Sequence, residues 1–561
     1  MKKLINAPAA VVHEMLEGLV AQSDRLALLE GSNAVLLAGA AGGHHGVALI
    51  SGGGSGHEPA HAGYVGKGML TAAVAGDVFT SPGVDAILDT IRAVAGPRGV
   101  LLIVKNYTGD RLNFGLAAEL AIAEGIATEI VVVADDVSLK DTVPVQRRRG
   151  IAGAVLVHKI AGALAETGHD LPAIAEIARR AAEGIGTMGV GLSACTVPAV
   201  GKPGFSLADD EIELGLGIHG EKGVERTALL PVDALVDRLV DSIALDLGLD
   251  RGDRVVAMVN NLGATPAMEL AIVMRRTLAA LRERGVTVER AWQGTFLSAL
   301  DMAGVSVSLM RVDDRMLELI DAPTEAPAWP RGGGLGQGVE IVPRRAGGSA
   351  DDGDTGAGPL TPLLRAKVDA VRRALLARVG LFTELDSLAG DGDLGASVER
   401  AAEALADLPA SAYRSPQALL LAIARTLRRV VGGSSGPFYA IGLSRASRPL
   451  AGVENPTPEH WLAAFEAAVG AVEELGGARV GDRTMVDALR PAVEEMRRQV
   501  AAGVLDIAAI ARSAAEGARQ TAGMQARLGR ASYLGDRTSG VEDGGAAVVA
   551  TWLGALSNDG E

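Results

Sequence analysis

Between residues 322 and 360 the chain reads APTEAPAWPRGGGLGQGVEIVPRRAGGSADDGDTGAGPL. A run so dense in Pro and Gly sustains neither helix nor strand, and its last ~20 residues have the composition of a flexible linker. It separates two stretches of opposite character. Before it, short apolar β-rich runs alternate with helical periodicity. After it, every periodic segment is helical. At 561 residues the chain is also too long for a single core. The expected organisation is an α/β, two-lobed part over 1–330 (lobes about 1–185 and 186–330), a flexible linker over 331–360, and an all-α antiparallel helical bundle or barrel over 361–561.

In the first part, VALI (47–50), GVLLIV (99–104) and EIVVVA (129–134) each run into Gly, Asp, Asn or Thr, and helix-like segments such as 112–125 separate them. That alternation predicts an α/β domain with a largely parallel sheet. Ligands of such sheets sit at the carboxyl ends of the strands, so the segments that follow the runs become candidate site walls. The first is SGGGSGHEPAHAGYVGKGM (51–69), read as a tight glycine loop that presents bare N–H groups to a small polar ligand, with His57 and Glu58 at its exit. The second is KNYTGD, which carries Lys105, Asn106, Tyr107, Thr108 and Asp110. A second α/β segment from about Gly189 holds GLGIHGEKG. Its Gly215, Gly217 and Gly220 spell GxGxxG, but no helix start or spaced acidic residue follows, so it is not a dinucleotide fingerprint. The residue that stands out there is His219, whose neutral imidazole in a glycine-lined loop can act as base, ligand or nucleophile.

The helical part contains six or more amphipathic patterns joined by short connections, which make neighbours antiparallel and bring alternate loops to one end. That arrangement could gather four loops: GDGDLG (390–395), GGSSGP (432–437), GARVGDRT (477–484) and GRASYLGDRTSGVEDGGA (529–546). Asp386, Asp391 and Asp393 fall within eight residues. Asp and Gly disfavour helix interiors, so the segment reads as a tight loop between helices. Close carboxylates repel unless a cation joins them, and an all-oxygen set suits Mg²⁺ or Ca²⁺. The alternative is a solvated acidic loop. The similar Asp352-Gly-Asp354-Thr-Gly356 lies in low-complexity sequence and is assigned no metal. Carboxylates, a Gly/Ser loop, Arg530 and Arg537 together are the parts phosphoryl transfer needs. No Walker A sequence occurs, so a nucleotide would be held through metal bridges.

Composition narrows the classes. A net charge of −15 and 3 % aromatic residues argue against nucleic acid as a partner, because phosphate backbones need Lys/Arg surfaces and bases need stacking platforms. The single Cys195 excludes an intramolecular disulfide framework and reads as a buried small residue. The N-terminal MKKLINAPAAVVHEML breaks the apolar run that a signal peptide requires, and no long uninterrupted apolar stretch predicts membrane insertion. A cytoplasmic enzyme is expected.

Seven motifs in order, SGGGSGHEPAHAGYVGKGM, LLIVKNYTGD, CTVPAVGKPGF, GLGIHGEKG, GDGDLG, GGSSGP and GDRTMVDAL, resemble those of the single-chain, ATP-dependent dihydroxyacetone (glycerone) kinases along nearly the whole chain. The resemblance implies transfer of the γ-phosphate of ATP to dihydroxyacetone, with the ketone attached to His219 as a hemiaminal. It implies that Gly54, Ser55, Gly56 and His57 line the substrate, and that Asp110 accepts the hydroxyl proton with His57 assisting. It implies that Asp386, Asp391 and Asp393 hold two Mg²⁺. By the same carry-over Leu394, Gly395, Ala396, Ser397, Ser435, Gly436, Gly477, Met485, Arg530, Asp543, Gly544 and Gly545 bind the nucleotide, Met485 against the adenine. The family commonly has Asp-Pro-Gly where this chain has Glu542-Asp543-Gly544-Gly545, and loss of the proline's fixed φ is expected to loosen that loop. A homodimer is expected, in which a nucleotide domain faces a substrate site, its own or its partner's. Other outcomes left open are a kinase for glyceraldehyde or a larger ketose, cyclisation of FAD at the same Mg²⁺ site, and a non-catalytic ketone sensor. The sensor predicts damage to Asp110, His219 or the Asp loop, and all are intact.

Overall fold

The structure, a computed structural model, describes residues 2–140, 142–336, 339, 341–342, 357–390, 392–433, 435–528, 532 and 539–557. The chain divides into two compact units, Met1–Pro343 and Arg344–Glu561.

The first unit is built on two six-stranded sheets. One contains β1 (Leu26–Leu28), β2 (Ala34–Leu37), β3 (Ala48–Ser55), β4 (Ala72–Val78), β5 (Val100–Lys105) and β6 (Thr128–Val133), in the order β1-β2-β4-β3-β5-β6. Strands β3 to β6 pair in parallel, and β1 and β2 add an antiparallel edge. The parallel strands are continuous apolar runs because helices cover both faces. Val84–Val94 and Thr108–Ala123 pack Ile87, Ile91, Phe114 and Ala117 on one side. Ala154–Glu166 and Leu171–Glu183 pack Val155, Ile160, Ile174 and Ala178 on the other. The second sheet contains β7 (Ile185–Gly191), β8 (Glu211–Leu214), β9 (Glu225–Ala228), β10 (Arg254–Asn261), β11 (Thr287–Gly294) and β12 (Gly304–Arg311), in the order β11-β10-β12-β7-β8-β9. Here β10 and β11 are parallel and the other pairs antiparallel. Helices Val232–Leu247 and Ala267–Glu283 cover one face of this sheet. The opposite face, through Val256, Met258 and Met310, joins the core beneath the first sheet.

The glycine run differs from its reading as a loop. Residues 51–55 continue β3, pairing Gly52 with Val74, Gly53 with Ala75 and Gly54 with Gly76. The glycines serve close approach rather than turning. A Cβ on Gly52 would lie 2.3 Å from the Val74 carbonyl oxygen, and one on Gly54 would lie 2.6 Å from the Thr80 nitrogen. Backbone cannot yield as a flexible side chain can. Gly52→Ala is therefore expected to destabilise the fold by about 1–3 kcal/mol, read as a lowered denaturant midpoint. An unchanged midpoint would show that β4 can shift away.

The second unit is all helical. Its described residues form nine helices: Thr361–Leu376, Val379–Ala389, Leu394–Ala406, Pro416–Val430, Ser435–Ala446, Pro458–Gly476, Val486–Ala501, Ile507–Gln520 and Gly544–Ser557. Their apolar stripes meet in small clusters of Ala, Leu and Val, and the last helix packs against the first, closing the bundle. The connection between Asp386 and Leu394 is shorter than its composition predicts. Asp386 lies in the last turn of Val379–Ala389, its carbonyl accepting from Gly390 N–H and its Oδ2 from Leu394 N–H at 3.1 Å. Satisfying the first free N–H of the next helix offsets the low helix propensity of Asp. No helix among the described residues is long and apolar enough to cross a membrane.

Candidate functional site

In the first unit β3, β5 and the β8–β9 connection bring together residues far apart in sequence. Strand β3 ends at Ser55, whose hydroxyl donates to Gly76 O, and the chain then passes Gly56 into His57. His57 is fully buried. Its Nδ1 donates to the Ser298 carbonyl at 2.7 Å, and its Nε2 lies 3.0 Å from Nε2 of His219. The His219 ring stands edge-on to Phe79 and Tyr107, with centroids 5.1 and 4.7 Å apart. Its Nδ1 meets Glu221 Oε1 at 2.9 Å, and its backbone N–H donates to Glu221 Oε2 at 3.0 Å. Burial, then the charges of Lys105 and His219, push the His57 pKa well below the usual histidine range against the Ser298 bond. Burial alone would raise the Glu221 carboxyl, but its hydrogen bonds and attraction to His219 bring it down to about 2.

Asp110 lies in the first turn of Thr108–Ala123, straight after β5. It is 3 % exposed and accepts a hydrogen bond from Ser81 Oγ. Lys105, the last residue of β5, is 1 % exposed. Gly53 faces both: a Cβ there would lie 3.4 Å from Lys105 Nζ and 3.6 Å from Asp110 Oδ2. Burial lowers the Lys105 pKa, opposed by Asp110, Glu221, Asp135 and Glu58. Gly56 N–H donates to both Glu58 oxygens at 3.1 Å, which holds the chain where His57 leaves the strand. A shallow, partly exposed imidazole thus stands beside a buried carboxylate, a buried ammonium and a hydroxyl. That set can engage a small polar molecule bearing a carbonyl and hydroxyls, and can take a proton from it. A cleft of about 540 Å³ between helix Val11–Val20 and β3 touches Gly53, Gly54 and Ser55 but contains neither His219 nor Asp110.

The structure therefore brings His219, His57 and Asp110 together with Gly54, Ser55 and Gly56. It also adds residues that motif reading passed over. Glu221 was legible as a carboxylate two positions from His219. Lys105 stood in the motif with no sign that its ammonium is buried. Ser81 and Phe79, beyond the end of β4, carried no signal, because only sheet packing sets them against Asp110 and His219.

In the second unit Asp386 lies in the last turn of Val379–Ala389 and Asp393 is the N-cap of Leu394–Ala406; Asp391 and Arg530 lie outside the described residues, as do Arg537 and residues 352–356. Among the described residues no three His, Cys, Asp or Glu side chains form a metal-holding group. The donor chemistry, one carboxylate at the end of a helix and one at the start of the next, nonetheless fits a hard cation. Leu394, Gly395, Ala396 and Ser397 form the first turn of the next helix. Gly395 permits that helix to approach Thr383, since a Cβ would lie 1.9 Å from its hydroxyl oxygen. Ser435 and Gly436 open helix Ser435–Ala446, and Gly477 ends Pro458–Gly476 with φ +67°. Met485 shares a cluster with Phe438 and Ala478, and a Cβ on Gly545 would lie 3.7 Å from Met485 Cβ. A Cβ on Gly544 would lie 2.6 Å from Leu394 Cδ2. These contacts gather the ends of five helices: the starts of Leu394–Ala406, Ser435–Ala446, Val486–Ala501 and Gly544–Ser557 and the end of Pro458–Gly476. Asp543 is anchored without a proline: its N–H donates to Thr521 Oγ1 and its Oδ1 accepts from Ala546 N–H, both at 2.8 Å. Burial pushes its carboxyl up to about 6.

Comparison with known proteins accords with this division. Residues 17–328 match the Dak1 domain and residues 388–558 the DAK2 domain. The chain is 43 % identical over 572 residues to the human (Homo sapiens) triokinase/FMN cyclase, covering 99 % of this chain and 98 % of that protein. It is 44 % identical over 352 residues to the dihydroxyacetone-binding subunit of the PEP-dependent dihydroxyacetone kinase of Escherichia coli (strain K12), covering 58 % of this chain and 99 % of that one. The crystal structure of the C. freundii dihydroxyacetone kinase in complex with AMP-PNP and Mg²⁺ superposes with a TM-score of 0.64 at 34 % identity, covering 99 % of both chains. With both domains matched and such identity along its whole length, the chain belongs to the dihydroxyacetone kinase and triokinase family and is a kinase.

Proposed function

We propose that this kinase transfers the γ-phosphoryl group of ATP to dihydroxyacetone, with the ketone held as a hemiaminal on His219. The observation that carries the reading is the convergence of His219, His57, Asp110 and Lys105 on one small site, in a family whose C. freundii member was crystallised with an ATP analogue and Mg²⁺. A carbonyl is required for a hemiaminal, so the site selects short ketones and aldehydes over glycerol. The covalent bond also fixes the hydroxyl that is to react. Asp110 takes that hydroxyl's proton as phosphorus is attacked, and Ser81, bonded to Asp110, aims the carboxylate. Gly54, Ser55 and Gly56 would line the substrate beside His57. On the nucleotide side Asp386, Asp391 and Asp393 would hold two Mg²⁺, which when bound neutralise phosphate charge. The Leu394–Ser397 turn, Ser435, Gly436, Gly477, Met485, Arg530 and Asp543–Gly545 would hold ATP.

A coupled assay with Mg-ATP against dihydroxyacetone, glyceraldehyde and glycerol tests this on wild type and His219→Ala. Wild type is expected to phosphorylate the two carbonyl compounds, and His219→Ala to lose about 10²-fold or more in kcat/KM. No turnover of dihydroxyacetone by wild type would overturn the reading. A second reading, FAD cyclisation at the nucleotide site, is favoured by the human relative's name, triokinase/FMN cyclase. Release of cyclic FMN from FAD by wild type, lost in Asp386→Asn, would establish it.

A further inference from the structure

We propose that Glu221 is a positioning residue for covalent capture of the ketone: it fixes the His219 tautomer and balances the positive charge that His219 carries before and after the bond forms. This rests on the reading of His219 as the residue that adds to the carbonyl. The hydrogen bonds at the outer nitrogens fix the protons of the pair. A carbonyl oxygen only accepts, so the His57–Ser298 bond at 2.7 Å puts a hydrogen on His57 Nδ1. The Glu221 carboxylate only accepts, so the 2.9 Å contact puts one on His219 Nδ1. If both rings were neutral, two lone pairs would face each other across the 3.0 Å between the Nε2 atoms. A third proton must lie between them, giving the pair one positive charge beside one carboxylate.

The buried pair His61–His158 shows the contrast. Its Nδ1 and Nε2 also meet at 3.0 Å, but His61 Nε2 and His158 Nδ1 have no partner, so both rings can be neutral, one donating to the other. Only the site pair is pinned at both outer nitrogens.

Capture then balances. The shared proton, held on His219 Nε2 because burial disfavours a charged His57, shifts across the 3.0 Å contact to His57 Nε2 as the freed His219 Nε2 lone pair forms the bond to the carbonyl carbon. The C=O π pair moves to oxygen, and that proton passes from His57 to the oxygen. The product is an Nε2-substituted imidazolium whose Nδ1–H still points at Glu221. One proton and one positive charge are conserved. Glu58, Lys105, Tyr107, Asp110 and Arg149 also lie about the pair. Among the described residues Glu221 alone of these charged groups hydrogen-bonds a ring nitrogen of it.

Glu221→Gln keeps an acceptor for Nδ1–H but removes the charge. The shared proton is then held less firmly, so the alkaline limb of ketone binding is expected to move down by about one pH unit or more. KM for dihydroxyacetone should rise about tenfold at neutral pH with kcat changed less, and Glu221→Asp should restore part of the loss. Native mass spectrometry of the adduct separates the outcomes. No adduct on wild type would remove the hemiaminal reading itself. An adduct on wild type with the same pH limb and KM in Glu221→Gln would overturn the role of Glu221 alone. A readout independent of any variant is ¹⁵N NMR of histidine-labelled wild type near neutral pH, where one extra proton shared by the pair is expected. Two neutral rings would also overturn the proposal.

Discussion

Asp110→Asn is expected to lower kcat by about 10² to 10⁴-fold while leaving the ketone adduct detectable by native mass spectrometry. The substitution is isosteric, and the new amide oxygen can still accept from Ser81 Oγ, the bond Asp110 makes. What disappears is the only part of the side chain that can take a proton. Asp110 is 3 % exposed and faces the same point above Gly53 as Lys105 Nζ, so water cannot readily substitute as the base. The loss of the carboxylate also leaves the buried Lys105 without the first of the charges that oppose its deprotonation. KM, measured in the same assay, should change less than kcat, because covalent capture by His219 does not use Asp110. A kcat within about tenfold of wild type would remove Asp110 from the proton-transfer role.

On the nucleotide side, Asp386→Asn is expected to reduce turnover on the order of 10²-fold or more, the scale of losing metal-assisted charge neutralisation, again with the adduct intact. The structure makes this substitution a clean one. Asp386 Oδ2 accepts from Leu394 N–H, a bond that an asparagine oxygen can reproduce, so the start of helix Leu394–Ala406 should survive and thermal unfolding should be close to wild type. The discriminating measurement is turnover against Mg²⁺ concentration. The variant should need more Mg²⁺ for half-maximal rate. An unchanged Mg²⁺ dependence would sink the assignment of Asp386 as a ligand. The two substitutions should also respond differently to added metal, since Asp110→Asn loses a proton acceptor and gains nothing from it.

The parts of the site that were legible were those in which one short segment carries both the residue and its context. His219 between glycines, Asp110 after a strand, and the Asp386–Asp393 carboxylates are of that kind. Glycine was the misleading case. Its freedom at positive φ made residues 51–55 read as a loop, whereas β3 continues through them because Val74, Phe79 and Thr80 leave no room for a Cβ at Gly52 or Gly54. Permissive backbone and steric necessity select the same residue, and sequence alone does not separate them. The Asp386 turn was misjudged for a related reason. Low helix propensity of Asp is a weak preference, and a hydrogen bond to Leu394 N–H at the helix end is enough to override it.

By itself the sequence determined the division into an α/β part and a helical part, since hydrophobic periodicity is a local property that survives in any arrangement of the elements. It also determined which chemistry was available: imidazoles, a strand-end carboxylate and an acidic turn. Only the tertiary structure decided which of these meet. His57 and His219 are 162 positions apart, and His57 and Ser298 are 241 apart. Their contact depends on how two sheets share a core, a relation no local pattern encodes. The same packing buried Lys105 beside Asp110, because burial and proximity, which govern where protons reside, are properties of the packed molecule.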